Sequence, residues 1–332
     1  MLRIINWLIA GFFLVGMQTL QADSALLKQQ TVQSFIHDLV KTDHFDRRQL
    51  QIILSSAVFQ PQIIESIQRP YEKKNWDVYR SVFLTPERLQ KGLEFWKRNQ
   101  KALAQAEQDY GVPAEMIVAI LGVETLYGQR QGQYRVLDAL TTLAFYYPPR
   151  GNYFKKELRE FLLLCREHHV AATAYKGSYA GAMGVPQFMP SSYRTFAVGY
   201  QGAQHPNLMS EDHDVITSVA NYFKQHGWLP KQMVVEKALV ANKASQTVAM
   251  NSKSPNYPFV ALLKAGVKPE ASMMAHPHQA GLLALTTEIG PEYWLAYPNF
   301  YVITRYNTSP QYALVVYLLS KSLRQHYSSH TV

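Results

Sequence analysis

The chain has 332 residues, with 33 Lys and Arg against 24 Asp and Glu, and a formal net charge of +9. This charge favours anionic partners, but no dense Lys/Arg run is present, so a nucleic-acid-binding protein is disfavoured. Cys165 is the single cysteine. An internal disulfide is therefore excluded, and we expect Cys165 to be a small buried apolar residue.

The first predicted element is an export signal. A short basic start ending at Arg3 precedes a mostly apolar run from Ile4 to Met17, and the chain turns polar near Ala22. An apolar stretch of about 7–15 residues before a small residue is typical of a secretory signal, whereas a membrane span needs roughly 20. We predict a signal peptide at residues 1–22, which leaves residues 23–332 as a periplasmic protein without stable membrane insertion.

Most of the remaining chain is predicted to be helical. Thr85 and Pro86 provide an N-cap and a first-turn proline, and Gly111 ends the apolar-periodic stretch that follows. Pro113 opens the next helix, which ends near Gly128. Further helices are predicted at 137–146, 152–168, 190–198, 212–226 and 310–326.

Residues 228–305 have a more mixed pattern. β-branched and aromatic residues predict strands at 233–240, 282–287 and 300–304. No internal repeat and no long linker is present. The predicted fold class is therefore mainly α (α+β), one α-rich chain with a small β-containing insertion.

One acid, Glu124, closes the apolar run 116–123. Burial disfavours an ionised carboxyl group, which suits a general acid that works near neutral pH. A Glu that reaches solvent at a helix end, or pairs with an Arg, would explain the same position. Segment 175–190 adds three glycines, Ser178 and Gln187, a pattern that fits either a substrate cleft or a tight connection between helices.

Five motifs together resemble one family. They are Gly122-Val-Glu124-Thr125, Gly177-Ser178 with Ala180-Gly-Ala-Met-Gly184, Gln187-Phe-Met-Pro-Ser-Ser-Tyr193, Val219-Ala-Asn-Tyr-Phe223 and Ile303-Thr-Arg-Tyr-Asn307. In this order, over roughly residues 30–325, they resemble the membrane-bound lytic murein transglycosylase B family, and the lack of a Cys near the cleavage site indicates a soluble-type member. The resemblance implies a lysozyme-like core at roughly 110–230, flanked by a helical domain and a small β domain.

The resemblance also implies the activity and the site. The family cleaves the MurNAc–GlcNAc β-1,4 bond of peptidoglycan without water and leaves a 1,6-anhydro-MurNAc end, with one Glu as acid and then base. Here that residue is Glu124, and an ordinary glycosidase would need a second carboxylate. Asp138 and Glu157, the acids considered for that role, lie in helical stretches where a solvated or ion-paired role is expected. The implied substrate-binding residues are Ser178, Gln187, Phe188, Tyr79, Tyr153, Tyr222, Tyr306, Asn307 and Tyr312.

Two segments depart from the family pattern. The family often carries a calcium loop, but the stretch 198–207 has Gly199 and Ala203 where hard oxygen ligands are needed, so no metal and no cofactor is expected. Pro149 stands where a second consecutive Arg is usual, which leaves the peptide preference open.

Three other kinds of protein remain as alternatives. A peptidoglycan-binding protein without catalysis would not need Glu124, and a hydrolytic muramidase would need a second carboxylate. A metalloenzyme would draw on the histidines, but none has the spacing of a strong zinc motif. These are His168, His169, His205, His213, His276 and His278.

Overall fold

The protein is described here by a computed structural model that covers residues 25–69, 74–271 and 276–329. It divides into two compact units. The first unit comprises the described residues up to Arg69 together with Gln131–Thr195, and the second comprises those of Pro70–Arg130 and of the chain from Phe196 onward. The predicted signal peptide, residues 1–22, lies outside the described residues.

The first unit is almost wholly helical. Its helices are Gln30–Asp43, Arg47–Ser55, Pro61–Gln68, Val136–Tyr146 and Gly151–Glu167, with a 3₁₀ turn at Pro148–Arg150 and a short helix Pro190–Phe196 at its end. The short strands β1 (Tyr134–Arg135) and β2 (Lys176–Gly177) pair in antiparallel fashion. The Val136–Tyr146 helix is buried along nearly its whole length and packs on Gly151–Glu167. The helices predicted in this region are therefore confirmed.

The second unit combines helices with a sheet. Its helices are Trp76–Phe83, Pro86–Arg98, Gln100–Tyr110, Ala114–Thr125, Asp212–Gln225, Asn242–Thr247, Phe259–Ala265, Pro298–Tyr306 and Pro310–Ser329, with a 3₁₀ turn at Tyr200–Gly202. The predicted helix start is confirmed, because the Thr85 hydroxyl accepts the Arg88 amide N–H at 3.2 Å. Gly111 ends the stretch in the left-handed conformation, but a break at Asn99 divides it into two helices.

The sheet of the second unit has five antiparallel strands. They are β3 (Val235–Val240), β4 (Tyr257–Pro258), β5 (Val267–Pro269), β6 (Gln279–Thr287) and β7 (Gly290–Ala296), in the order β4-β6-β7-β3-β5. Leu282 of β6 and Leu295 of β7 are fully buried and pack with Leu262 and Val267. This core holds a short helix against the sheet, and the strands predicted at 233–240 and 282–287 are confirmed.

The strand predicted at 300–304 is wrong. These residues belong to the helix Pro298–Tyr306, which starts with a proline in its first turn and buries Phe300, Tyr301, Val302 and Ile303. A helix that packs on most of its sides buries consecutive residues, as this one does. Tertiary burial here overrides the β-propensity of Val and Ile.

Cys165 is a buried residue, as predicted. It is 5% exposed, and its burial raises the pKa of the thiol to about 12, which disfavours the reactive thiolate.

Within residues 25–69, 74–271 and 276–329, no helix combines the length and apolar character that crossing a membrane requires. The predicted mainly α class with a small sheet is confirmed.

Candidate active site

Glu124 lies one residue before the end of the helix Ala114–Thr125. Every residue from Met116 to Val123 is buried, because the helix is apolar on all sides and packs against the helices Pro86–Arg98 and Pro310–Ser329. Glu124 itself is only partly buried. The carboxyl group therefore stands where a fully buried helix reaches an accessible surface, the position that an acid needs if it is to meet a ligand.

The helix ends at this point for a local reason. Leu126, Tyr127 and Gly128 all have positive φ, and the amide N–H groups of Leu126 and Tyr127 donate to the carbonyls of Gly122 and Leu121. Left-handed residues of this kind close a helix C-terminus. The backbone just after Glu124 is therefore fixed.

A buried arginine holds the same helix end. Arg88 is 6% exposed, and its Nε–H donates to the Gly122 carbonyl at 2.9 Å. Its Nη1 donates to the carbonyls of Val82 and Phe83, and the Tyr127 hydroxyl donates to the Arg88 carbonyl at 3.0 Å. A cation at a helix C-terminus offsets the negative end of the dipole. Burial lowers the pKa of Arg88, and the three carbonyl acceptors compensate this desolvation.

Tyr312 is the clearest partner of Glu124. Its hydroxyl donates to Glu124 Oε1 at 2.5 Å, and the ring is 3% exposed. Burial first, and then the negative charge of Glu124, raise the pKa of Tyr312 well above its usual value. The phenol therefore stays protonated and remains a hydrogen-bond donor to the carboxyl group.

Short-range hydrogen bonds position Tyr312. The Asn307 side-chain oxygen accepts the Ser309 amide N–H at 3.0 Å, and the Ser309 hydroxyl accepts the Tyr312 amide N–H at 3.3 Å. Ser309 thus caps the helix Pro310–Ser329, and Tyr312 lies in its first turn. Asn307, predicted to bind substrate, shapes this turn through its side-chain oxygen.

Tyr222 and Tyr306 belong to an aromatic group beside this turn. Their ring centroids are 4.9 Å apart at a steep angle, and the Tyr222 hydroxyl donates to the Arg305 carbonyl at 2.6 Å. Burial, followed by the charge of Glu124, raises the pKa of Tyr306 well above its usual value. Tyr306 is therefore a neutral polar group within the electrostatic reach of Glu124, an acid of the same unit.

Tyr79 is packed in an aromatic row of the helix Trp76–Phe83. Its centroid lies 6.5 Å from that of Trp76 and 5.0 Å from that of Phe83, and 2% of the residue is exposed. So little exposed area leaves few atoms for a sugar to contact. The role predicted for Tyr79 in substrate binding stays a prediction.

The glycine-rich segment of the first unit is held by its own backbone. Met183 and Phe188 exchange two amide-to-carbonyl hydrogen bonds at 2.8 and 3.0 Å, and the Ser178 amide N–H donates to the Ala182 carbonyl at 2.9 Å. Gly177 has no room for a side chain, since a Cβ there would lie 2.2 Å from the Ala182 oxygen. The segment is therefore a compact loop whose shape requires glycine.

The hydrogen bonds of this loop decide what two predicted site residues can offer. Ser178 Oγ accepts the amide N–H groups of Ala180 and Ala182 at 3.2 and 3.1 Å, so its own proton remains to be donated. Gln187 Nε2 donates to the Gln131 and Gly184 carbonyls at 3.0 and 2.9 Å, which uses both of its hydrogens and leaves Oε1 as an acceptor. The pair is complementary toward a polyhydroxyl ligand.

Phe188 and Tyr153, the other predicted residues of the first unit, differ in exposure. Phe188 is 2% exposed, whereas Tyr153 is 38% exposed, with the Arg150 guanidinium 4.6 Å above its ring. An exposed aromatic face beside a cation suits stacking on a polar ligand. Tyr153 can therefore contact a ligand in its present position, while Phe188 mainly supports the loop.

The two acids considered as second carboxylates have structural roles. Asp138 is 4% exposed; it accepts the Arg135 guanidinium and the Val58 amide N–H, so the predicted ion-paired role is confirmed. Glu157 is also 4% exposed and accepts the Ser191 amide and hydroxyl at 3.0 and 2.8 Å. Burial is the main cause that raises the pKa of Glu157. Its predicted solvated or ion-paired role is wrong, because a buried carboxyl group here caps the helix Pro190–Phe196.

The loop 198–207 does not fit a calcium ion. Asp214 Oδ1 accepts the Tyr200 amide N–H at 2.6 Å and Oδ2 accepts the Asn207 amide N–H at 2.7 Å. Both carboxylate oxygens of Asp214 therefore already accept hydrogen bonds from the loop backbone. The next acid, Asp212, accepts Arg98 and Asn99. The donor set lacks the several carboxylate oxygens that calcium takes.

The candidate histidines do not assemble a metal site. Among the described residues, no group of three or more His, Cys, Asp or Glu has a geometry that could hold a metal ion. His276 instead lies 3.0 Å from the Glu236 carboxylate and stacks on Phe259 at 4.2 Å, and His213 stacks on Tyr200.

Sequence reasoning missed Arg88 and Tyr127. The bonds that join them to the helix end and to each other span 34 and 39 positions of the chain, so no local pattern marks these two residues. One signal was present in Gly92 and Gly122, since a Cβ at either would lie within 2.4 Å of the Tyr127 hydroxyl. A glycine on a buried helix face indicates a close approach of this kind.

Comparison with known proteins identifies the family. The model described as "Transglycosylase SLT domain" matches residues 27–321. The chain is 41% identical over 326 residues to the membrane-bound lytic murein transglycosylase B of Escherichia coli (strain K12), and the match covers 95% of this chain and 89% of that protein.

Solved structures agree with this assignment. The soluble lytic transglycosylase SltB1 from Pseudomonas aeruginosa has a TM-score of 0.83 at 42% identity and covers 90% of this chain and 100% of its own. The Escherichia coli lytic transglycosylase Slt35 in complex with calcium has a TM-score of 0.82 at 41% identity, with coverages of 91% and 95%. SltB3 from Pseudomonas aeruginosa in complex with NAG-NAM-pentapeptide has a TM-score of 0.76 at 27% identity, with coverages of 89% and 80%. The predicted lysozyme-like fold class is confirmed, and the chain belongs to the lytic murein transglycosylase family of enzymes.

Proposed function

We propose that the protein cleaves the MurNAc–GlcNAc β-1,4 bond of peptidoglycan without water and leaves 1,6-anhydro-MurNAc ends. Glu124 is the single catalytic acid and base in this proposal. The observation that carries it is the Tyr312–Glu124 hydrogen bond at the accessible end of a buried helix, in a chain of this family.

The first step is proton donation. Glu124 transfers its proton to the glycosidic oxygen, and the bond between that oxygen and the anomeric carbon breaks. Oε1 accepts the Tyr312 hydroxyl, so we assign the transferred proton to Oε2. The same hydroxyl stabilises the carboxylate that donation produces, because a charge-assisted hydrogen bond is stronger than a neutral one.

The second step closes the anhydro ring. The Glu124 carboxylate takes the proton from the C6 hydroxyl of the MurNAc residue whose glycosidic bond has broken, while the C6 oxygen forms a bond to the anomeric carbon of that residue. Glu124 is thereby returned to its protonated form, and no water is consumed. An intramolecular nucleophile has a high effective molarity, so the step needs no second carboxylate. The structural roles of Asp138 and Glu157 support this reading.

The substrate is the glycan strand. We propose that Ser178 donates to a sugar oxygen and that Gln187 Oε1 accepts a sugar hydroxyl, in keeping with the hydrogen bonds each already makes. Tyr153 offers an exposed ring face. Asn307, Tyr79, Tyr222, Tyr306, Tyr312 and Phe188 complete the proposed set. The catalytic region is residues 23–332, with the lysozyme-like core at roughly 110–230.

The compartment follows from the substrate. We propose that residues 1–22 direct export and are removed, so that the protein acts in the periplasm on the cell wall. N-terminal sequencing of the exported protein tests this, and the expected first residue is Asp23.

The activity is tested by mass spectrometry of the soluble products from purified peptidoglycan. The exported protein should release muropeptides one water lighter than reducing ones, and Glu124→Gln should lower the rate by at least about 1,000-fold while the melting temperature stays unchanged. Glu115→Gln is the matched control, since this acid at the other end of the same helix pairs with Arg324.

The outcomes separate the alternatives. Reducing-end products would identify a hydrolytic muramidase with a second carboxylate. Sedimentation with the cell wall and no products would identify a peptidoglycan-binding protein. Normal turnover by Glu124→Gln would remove Glu124 from the mechanism altogether.

A further inference from the structure

A groove in the first unit lies between two helices and plays no part in the proposed reaction. It has a volume of about 650 Å³, with one wall on the helix Gln30–Asp43 and the other on the helix Gly151–Glu167. The buried side chains of Phe35 and Leu39 contribute apolar surface to its lining. The groove is large enough for a few amino-acid residues of an extended ligand.

The charged side chains on the two walls of the groove carry opposite charges. The wall of helix Gly151–Glu167 carries Lys155, Lys156 and Arg159 at helical spacing, whereas the opposite wall carries Asp38 and Asp43. Hydroxyl and amide side chains fill the remaining lining positions: Gln30, Thr31, Ser34, Thr42 and Asn152.

An ion pair satisfies only one of these cations. Arg159 donates to both Asp43 carboxylate oxygens at 2.7 and 2.6 Å, and this pair lowers the pKa of Asp43. The Lys155 ammonium lies 5.7 Å from the Phe145 ring. Within the described parts of the chain, no ion pair involves Lys155, Lys156 or Asp38. Two lysines therefore offer positive charge on one side, and one carboxylate offers negative charge on the other.

This arrangement fits a peptide better than a sugar or a uniformly anionic polymer. A carboxylate matches the two lysines, an amino group matches Asp38, and peptide amides match the hydroxyl and amide side chains. A uniformly anionic polymer would be repelled by Asp38, whose charge no ion pair of the described residues offsets, while Asp43 is already paired with Arg159. The related SltB3 structure was solved in complex with NAG-NAM-pentapeptide, so peptide-bearing glycans are ligands within this fold.

We propose that this groove binds a peptide stem of the cell-wall polymer, with a stem carboxylate at Lys155 and Lys156. The proposal rests on the proposed function, because it takes the ligand from the same substrate. It places a specificity site on the first unit, formed by side chains that are separate from Glu124, Ser178 and Gln187. Binding there would make the enzyme prefer glycan that carries peptides over bare glycan.

The test combines a substitution in the protein with a change in the ligand, and titration calorimetry measures the affinity of every combination. The exported protein and its variants Lys156→Glu and Lys41→Glu are each titrated with NAG-NAM-pentapeptide and with the C-terminal amide of the same compound. Lys41 is the matched control, since it is an exposed lysine of the helix Gln30–Asp43 that does not line the groove. Both lysines are exposed, so both variants should fold, and their melting temperatures are compared with that of the wild type.

We expect amidation to weaken binding to the wild type about threefold to fivefold, the range of an exposed ion pair. Lys156→Glu should weaken binding of the acid form by at least as much, and amidation should then weaken it no further. Lys41→Glu should behave as the wild type does. If the loss from amidation and the loss from Lys156→Glu multiply, the carboxylate binds elsewhere and the proposal is overturned. If Lys156→Glu and Lys41→Glu weaken binding equally, the ligand responds only to net charge, and the proposal is overturned as well.

Cleavage of peptide-free glycan separates this proposal from the proposed function. If the wild type yields anhydro ends but affinity for the pentapeptide does not depend on Lys156, the groove proposal fails alone. If the coupling to Lys156 is found but no glycan is cleaved, the groove stands and the proposed function fails.

Discussion

The Glu124 helix and the 175–190 loop hold their polar side chains by opposite means. Two side-chain hydrogen bonds at the Glu124 helix come from far along the chain, since Tyr312 is 188 positions after Glu124 and Arg88 is 34 positions before Gly122. The partners of Ser178 are two and four residues away, and Gln187 donates to Gly184, three residues away, and to Gln131, 56 residues away. The first region depends on tertiary packing and the second chiefly on local backbone geometry, so different substitutions should break them.

The largest effect is expected from Gly177→Ala in the loop. The new Cβ would lie 2.2 Å from the Ala182 carbonyl oxygen, which accepts the Ser178 amide N–H. The loop must open to relieve this clash, at a cost of about 3 kcal/mol in the free energy of unfolding. Chemical denaturation measures the loss.

Gly227→Ala is the control for this prediction. Gly227 also tolerates no side chain easily, because its φ is +87°, but no atom lies within 4 Å of the added Cβ. Its expected cost is only about 1 kcal/mol. Equal costs at both positions would contradict the prediction, because the contact with Ala182 would then add nothing beyond the cost of an ordinary strained glycine.

A smaller loss of stability is expected from Arg88→Met at the helix end. The substitution keeps much of the aliphatic bulk but leaves the carbonyls of Val82, Phe83 and Gly122 without their donor. Unsatisfied buried acceptors should lower the free energy of unfolding by about 2 kcal/mol. Arg130→Met, which removes an exposed arginine near the same helix end, should change it by less than about 0.5 kcal/mol. Equal effects would show that charge, and not the three hydrogen bonds, stabilises this region.

The same contrast explains how much of the fold could be predicted from sequence. Helix starts with their own cap, such as Thr85-Pro86, and ends at glycine, such as Gly111, were located within a residue. The segment 300–304 was assigned to a strand, because its β-branched residues are a local signal and its burial on the helix Pro298–Tyr306 is a tertiary one. The break at Asn99 and the strand β7 were also missed.

The candidate site follows the same rule. Glu124 and the glycine loop were found because an acid after an apolar run, and glycines beside polar residues, are visible in the sequence. That Tyr312 donates to Glu124, and that Asn307 shapes the turn before Tyr312, depends on how distant helices pack. A sequence can therefore name the tyrosine, but the hydrogen bond that gives it a role appears only in the fold.

Tyr312→Phe tests that hydrogen bond with an effect of about tenfold on kcat, equivalent to about 1.4 kcal/mol. KM should change little, since the ring is retained and is 3% exposed. Loss of the donor disfavours the ionised carboxylate, so the alkaline limb of the activity profile should move to higher pH.

The pH profile distinguishes a Tyr312 hydroxyl that acts on Glu124 from a Tyr312 side chain that only packs against its neighbours. Tyr200→Phe is the control, because this tyrosine is 42% exposed and stacks on His213 in the same unit. It should leave both kcat and the profile unchanged. A fall in kcat for Tyr312→Phe without a shift of the alkaline limb would indicate a packing role, and a rise in KM alone would indicate that the hydroxyl bonds the substrate instead of Glu124.

The smallest effect concerns calcium. A site filled at 100 times its dissociation constant would stabilise the protein by about 2.7 kcal/mol, which corresponds to a rise of several degrees in melting temperature. The loop 198–207 should show no such rise in millimolar calcium relative to a chelator, because both Asp214 oxygens already accept the amide N–H groups of Tyr200 and Asn207. A calcium-dependent rise would contradict this.

Asp214→Asn makes the calcium test specific to the loop. An amide has one acceptor oxygen, so one of the two backbone hydrogen bonds must be lost, and the melting temperature should fall by the same amount with calcium or with chelator. A fall that occurs only in calcium would mean that Asp214 binds the ion. An equal fall in both conditions would mean that the Asp214 carboxylate and two backbone amide groups fix the loop without an ion.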